Sequence, residues 1–254
     1  MQRGWADMDV GRLVRTVASL WGSRRAVKFS VDAKFTAWCL LCGGTEVARG
    51  GLCRACWGDL PVISAGCESC GIPLARKGLI CAECQRRPPP FMRCFVPFHY
   101  QAPISSRIRS LKFKADLPAA RELAHWMWMH GAGRGLPQAL LPVPLHRKRL
   151  MERGFNQALE LARELGALAS IPVLADRCVR LRHTAAQSGL EARHRRRNVR
   201  GIFRAKSLEG LRHVAIVDDV VTTGSTVTEL ARALRRGGIE AVEVWAAARA
   251  TLWQ

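Results

Sequence analysis

Eight of the ten cysteines in this 254-residue chain stand in four Cys-x-x-Cys pairs, Cys39/Cys42, Cys53/Cys56, Cys67/Cys70 and Cys81/Cys84, each beginning 14 residues after the last. Two thiolates on one tight turn grip one face of a tetrahedral Zn2+, and a second pair closes the other face. Four pairs supply ligands for two closed tetrathiolate sites. A closed site has no open coordination position, so these are structural rather than catalytic. In a reducing compartment such pairs ligate metal sooner than they form disulfides. Residues 36–90 are too few for a good hydrophobic core of their own, so metal binding would provide most of their folding free energy.

Even spacing allows three pairings of the knuckles. Finer features show a 28-residue repeat: Cys42 and Cys70 are each followed by glycine, and Cys53 and Cys81 are each preceded by an aliphatic residue. The repeat favours sequential ribbons, 39/42/53/56 and 67/70/81/84, with interleaved pairing as the alternative. Cys94 and Cys178 fall outside the pattern and read as ordinary buried thiols.

The second chemically expressive stretch is Val214-Ala215-Ile216-Val217-Asp218-Asp219-Val220-Val221-Thr222-Thr223-Gly224-Ser225-Thr226. An apolar strand runs into two carboxylates, and a small, hydroxylated turn then opens a helix. Ligands of open α/β sheets sit beyond the carboxyl ends of the strands. A helix N-terminus offers unpaired N–H groups and partial positive charge to a phosphate. Thr222, Thr223, Ser225 and Thr226 add hydroxyl donors, and Gly224 lets the backbone approach an anion closely. Carboxylates accept hydrogen bonds and suit a ribose diol. Together they describe a site for a ribose 5-phosphate. This reading makes two demands on the fold: Asp218 and Asp219 must not be locked in ion pairs, and the 222–226 amides must face an open cleft.

The elements that position these groups alternate. After the stiff spacer Arg86-Arg87-Pro88-Pro89-Pro90, residues 91–100 read as a strand, 104–113 and 117–129 as helices, and 139–143 as a short strand. Residues 154–169 carry one apolar helical face, 173–182 are extended, and 214–217 form a buried strand. Residues 226–235 form a helix stopped by Gly237-Gly238, and 242–248 form the last strand. This alternation predicts an α/β fold with a mainly parallel sheet under flanking helices, at 91–254, preceded by the zinc ribbons at 36–90. Residues 1–35 read as a weakly ordered extension or a short helix, with apolar positions at Val10, Leu13, Val14, Val17 and Leu20.

The hydrophobic fraction of 48% suffices for a core, and the net charge of +20 favours acidic partners such as nucleotides, polyphosphates or nucleic acid. Arginine outnumbers lysine 33 to 7, and a GC-rich genome alone inflates arginine, so charge by itself proves no partner. No run approaches a membrane span, so no membrane insertion is expected. Asp7 and Asp9 near the start exclude a signal peptide, and a cytoplasmic location is the expectation.

The 214–226 segment resembles the PRPP motif of type I phosphoribosyltransferases, with Ser225 where a second glycine is common. Further segments sharpen the match: Pro142-Val143-Pro144-Leu145-His146-Arg147-Lys148-Arg149-Leu150, then Arg153-Gly154-Phe155-Asn156-Gln157-Ala158, then Arg182-His183-Thr184 with Gln187, then Arg193 to Asn198 and Gly201-Ile202-Phe203. With the cysteine knuckles, these resemble the ComF family (ComFC/GntX-like double zinc ribbon phosphoribosyltransferase proteins). The resemblance implies that phosphoribosyl pyrophosphate (PRPP) binds with Mg2+, Asp218 and Asp219 holding the ribose hydroxyls and Thr222, Thr223, Gly224, Ser225 and Thr226 the 5-phosphate. By the same analogy Arg147, Lys148, Arg149 and Arg153 face the pyrophosphate, which guanidinium groups fit by bidentate bonds; a solvated basic helix start is the bland alternative. The basic run 182–198 suits a loop closing over PRPP or a nucleic-acid contact. The family implies natural competence and DNA uptake. Two readings follow: a phosphoribosyltransferase, or a non-catalytic accessory protein binding single-stranded DNA or a helicase.

Overall fold

A computed structural model describes residues 38–131, 135–182 and 201–250. The expectations for residues 1–35, and for the basic run from His183 to Asn198, lie outside the described residues. In chain order, β1 (Val47–Arg49) and β2 (Leu52–Cys53) form an antiparallel hairpin that runs into the short helix α1 (Arg54–Gly58). A second short helix, α2 (Ala82–Arg86), spans the last knuckle.

The α/β part begins with β3 (Arg93–Phe95) and β4 (Phe98–His99), then α3 (Ile104–Lys114) and α4 (Pro118–Met129). The expected single strand at 91–100 is broken at Val96-Pro97, where proline has no N–H to give a ladder. Next come β5 (Ala139–Pro142), α5 (Arg147–Arg153) and α6 (Gln157–Ala169). Then β6 (Cys178–Arg180) pairs antiparallel with β7 (Phe203–Ala205). Finally β8 (His213–Val221), α7 (Ser225–Arg236) and β9 (Ala241–Arg249) close the fold. Three expectations shift. The strand at 214–217 continues through both aspartates to Val221. Within 173–182, only 178–180 form a named strand. The Arg147–Arg153 stretch is a helix, capped by the His146 ring accepting the Lys148 N–H at 3.3 Å.

The five-stranded sheet runs β3-β9-β8-β5, with β4 also on β9, and every pairing is parallel. Alternation along β8 divides the core. Ala215 and Val217 face α3, α4 and α6, whose Ile108, Trp126 and Leu161 are fully buried there. Val214 and Ile216 face α7 and the β6–β7 hairpin, packing with Leu230, Leu234 and Phe203. The expected α/β class with helices on both sheet faces is thus what the chain adopts.

The ribbons and the sheet belong to one compact unit, Thr36–Gln254. Cys39, Leu52 and Leu60 of the first ribbon are buried in the same core as Phe98 and Trp126. The Trp126 indole N–H donates to the Gly50 carbonyl at 2.9 Å. The stretch between ribbons instead pairs with the sheet edge: Val62 bridges Phe98, and Ile63 N–H donates to the Pro97 carbonyl at 2.8 Å.

Candidate functional site

The Arg-Gly-Phe-Asn-Gln stretch shows how sequence builds the floor of the site. Gly154 ends α5 at φ +81°, a left-handed conformation that glycine adopts without a Cβ penalty. Phe155 packs on Leu111, Ala119 and Ala120. The Asn156 side chain accepts the Ala158 N–H at 3.0 Å, capping α6, and donates to the Val143 carbonyl at 3.0 Å. Gln157 then stands at the first turn of α6, and its amide donates to Asp219 Oδ1 at 3.2 Å.

Asp218 and Asp219 follow the strand's alternation, so they point to opposite sides of the sheet. Asp219, 2% exposed, lies on the α3/α6 side. There it forms an ion pair with the Lys112 ammonium of α3 besides its bond from Gln157. Burial works against the Lys112 charge, but Asp219 outweighs it and raises the ammonium pKa. Asp218 is half-buried, has no ion pair among the described residues, and its Oδ1 accepts the Asp219 N–H at 2.9 Å. Burial first, and the neighbouring Asp219 charge second, push its carboxyl well above the usual carboxylate range. The pair is thus split: Asp219 is locked to a lysine, against the demand that neither acid be ion-paired, and Asp218 alone remains available.

Beyond Val221 the chain turns at the surface. Thr222 is exposed, and Thr223, Gly224, Ser225 and Thr226 are half-buried. Gly224, at φ +73°, stands as N-cap of α7 without a side-chain cap. The Thr223 hydroxyl bonds the Ser225 hydroxyl at 2.7 Å and accepts the Ser225 N–H at 3.4 Å. The first N–H groups of a helix have no intrahelical partner, but the Ser225 N–H is already taken by Thr223, and residues 222–226 do not line the cleft of Lys112 and Arg153. Arg249, buried at the end of β9, donates to the Thr222 carbonyl and fastens the turn to the sheet.

Of the four basic residues expected near a pyrophosphate, Arg149 and Arg153 line a cleft of about 610 Å3 together with Lys112 and Lys114. Arg147 and Lys148 do not line it. Arg153 donates to Gln157 Oε1 at 2.5 Å, so it reaches the acid pair through one amide. Sequence reasoning does not single out Lys112, Gln157 or Arg249 as site residues. Gln157 lies within a quoted motif, whereas Lys112 and Arg249 carry no local signal.

The cysteines gather as Cys39, Cys42, Cys53 and Cys56, and as Cys67, Cys70, Cys81 and Cys84, with all four sulfurs of each set within 4.8 Å of one another. This is the sequential pairing. The donor set fits Zn2+: the Cys56 N–H points at Cys53 Sγ at 3.4 Å, and the Cys81 N–H at Cys67 Sγ at 3.3 Å. At Cys39 burial opposes the thiolate, but N–H groups of Cys42, Cys53 and Leu41 outweigh it and bring the thiol down to about 6. Cys67 falls to about 7 by the same balance, with N–H groups from Cys81, Cys70 and Ser69. Other thiols of the same sets move the opposite way, Cys70 up to about 11 chiefly by burial and Cys56 and Cys84 higher still, so the sulfurs of each set divide the charge unevenly until a cation is bound. Cys94 and Cys178 are buried, and burial pushes each up to about 12.

A parallel sheet under flanking helices, with Asp218 and Asp219 near the carboxyl end of β8 and two four-cysteine clusters ahead of it, defines an α/β fold carrying a double zinc ribbon. The double zinc ribbon domain family matches residues 30–85. Competence protein F of Haemophilus influenzae is 36% identical over 222 residues, covering 84% of this chain and 96% of that protein. DNA utilization protein YhgH of Escherichia coli K12 is 35% identical over 218 residues, covering 83% and 96%. A purine phosphoribosyltransferase structure from Pyrococcus horikoshii Ot3 aligns over 63% of this chain and 94% of its own, at 16% identity and a TM-score of 0.26. The chain belongs to the ComF family, that of competence protein F and YhgH. Among the described residues no helix is long and apolar enough to cross a membrane.

Proposed function

We propose that the β8–α7 junction binds PRPP with Mg2+, and that the chain serves natural competence and DNA uptake from the cytoplasm. Asp218 takes the ribose hydroxyls, and Asp219, held by Lys112 and Gln157, backs it. Residues 222–226 take the 5-phosphate, and Arg149 and Arg153 the pyrophosphate side. The observation that carries the reading is Gly224 opening α7 at φ +73°, just beyond the end of the strand that bears the split acid pair. As an enzyme, the chain would break the C1–O bond to pyrophosphate and form a C1–N bond to a nitrogen acceptor, whose proton leaves to solvent. Mg2+ would offset charge on the departing pyrophosphate, while the site favours a ribosyl centre gaining positive charge.

Calorimetry with Mg2+-PRPP tests this. Asp218→Asn is expected to weaken binding at least about tenfold, roughly 1.4 kcal/mol. Equal affinity in parent and variant would remove the site. A screen for pyrophosphate release against bases and nucleotides tests turnover. The net charge of +20 and the likeness to a competence protein and a DNA utilization protein favour a second role, contact with single-stranded DNA or a helicase, with or without catalysis.

A further inference from the structure

Phe113 is 74% exposed in the last turn of α3. Nothing in the fold's core uses it, and the PRPP reading gives it no task. Its surroundings are cationic: Lys114, Arg149 and Arg153 line the same cleft, Lys112 beside them being paired with Asp219, and among the described residues Glu152 brings the one carboxylate that lines it. The Arg153 guanidinium stands 5.7 Å from the centre of the Phe113 ring. One part of the ring is thereby braced, and the rest stays open to solvent. The cleft volume, about 610 Å3, lies inside the range of about 300–1,000 Å3 typical of ligand sites.

We infer that this cleft receives single-stranded nucleic acid, with Phe113 stacking an unpaired base and Lys114, Arg149 and Arg153 meeting the flanking phosphates, so that the strand and the PRPP pyrophosphate share Arg149 and Arg153 and exclude each other. An aromatic face set among cations matches the two chemistries that alternate along such a strand. A duplex would not serve, because its base faces are already stacked. An acidic peptide would satisfy the cations but leave the open phenyl face without a planar partner. The inference rests on the nucleic-acid role under Proposed function and adds where on the molecule it resides.

Fluorescence anisotropy with a labelled oligo-dT of about 20 nucleotides, longer than the site of a single binding fold, tests it, using the zinc-loaded full chain. Phe113→Ala is expected to weaken binding about 5- to 150-fold, the range for loss of one stacked base. Phe113→Tyr should restore it, and an abasic strand should bind parent and Phe113→Ala alike. Arg149→Ala should lower the slope of log affinity against log salt by about 0.7, one phosphate contact on a single strand. Unchanged melting and zinc content in each variant secure the comparison. If the parent binds oligo-dT and Phe113→Ala binds equally well, the cleft is not the site. If polyglutamate displaces oligo-dT at equal charge concentration, the surface is for acidic protein and the inference falls. If the parent binds no oligo-dT even at low salt, the nucleic-acid role itself fails, while the PRPP reading is left to calorimetry.

Discussion

The two cysteine clusters have the same plan, yet the protein uses them differently. The first ribbon gives Cys39, Leu52 and Leu60 to the core beneath α3 and α4, and Trp126 reaches back to its Gly50 carbonyl. The second ribbon gives no side chain from 67–84 to the buried clusters, and it exposes Leu79 and Ile80. It lies instead against the sheet edge, where Gly71 approaches the Cys94 carbonyl so closely that a Cβ would sit 3.0 Å from it. One metal unit is a piece of the core, and its twin is attached to the outside. Identical ligand spacing therefore does not imply equal structural weight.

The largest expected effect comes from emptying each site in turn. The parent should hold about two zinc ions per chain by metal analysis. Cys39→Ser/Cys42→Ser should leave one zinc and abolish the cooperative melting of the whole unit. Cys67→Ser/Cys70→Ser should also leave one zinc but keep a cooperative transition. Equal damage from both would erase the distinction. Leu52→Ala should cost about 2–5 kcal/mol in urea denaturation, as buried Leu→Ala changes do.

Gly71→Ala tests the edge attachment. It places a side chain at φ +68° and against backbone, and a loss of about 1–3 kcal/mol is expected. A loss as large as that of Leu52→Ala at its upper end would mean the second ribbon matters more than its burial suggests. Trp126→Phe should cost about 1 kcal/mol for the lost hydrogen bond to Gly50, measured by the same denaturation. No change would mean that water takes over the Gly50 carbonyl. The smallest effect belongs to Ile80→Ala on the second ribbon, which should stay within about 0.5 kcal/mol.

Much of this is legible in the chain itself because it is local. The 28-residue repeat points to sequential clusters, and the run from Val214 to Thr226 announces a strand, an acid pair and a helix start. The division of labour between Asp218 and Asp219 is also implicit in their adjacency, since neighbours on a strand face opposite ways; treating them as lying beyond the strand hides it. Lys112 is not legible, because its partner stands on another element. Helix α5 is legible only as the alternative of a solvated basic helix start, for a different reason. Arg147 to Arg153 is dominated by basic residues with no apolar stripe, and its start depends on the His146 ring rather than a Ser, Thr, Asp or Asn cap.

Arg153 stands over Phe113 at one end and holds Gln157 at the other, and Gln157 holds Asp219. A single side chain therefore belongs to both the aromatic cleft and the acid pair. Any occupant that draws the guanidinium outward loosens the amide behind it, and by reciprocity an occupant of the acid pair alters the first by the same factor. Two ligands that both need Arg153 would then compete for it.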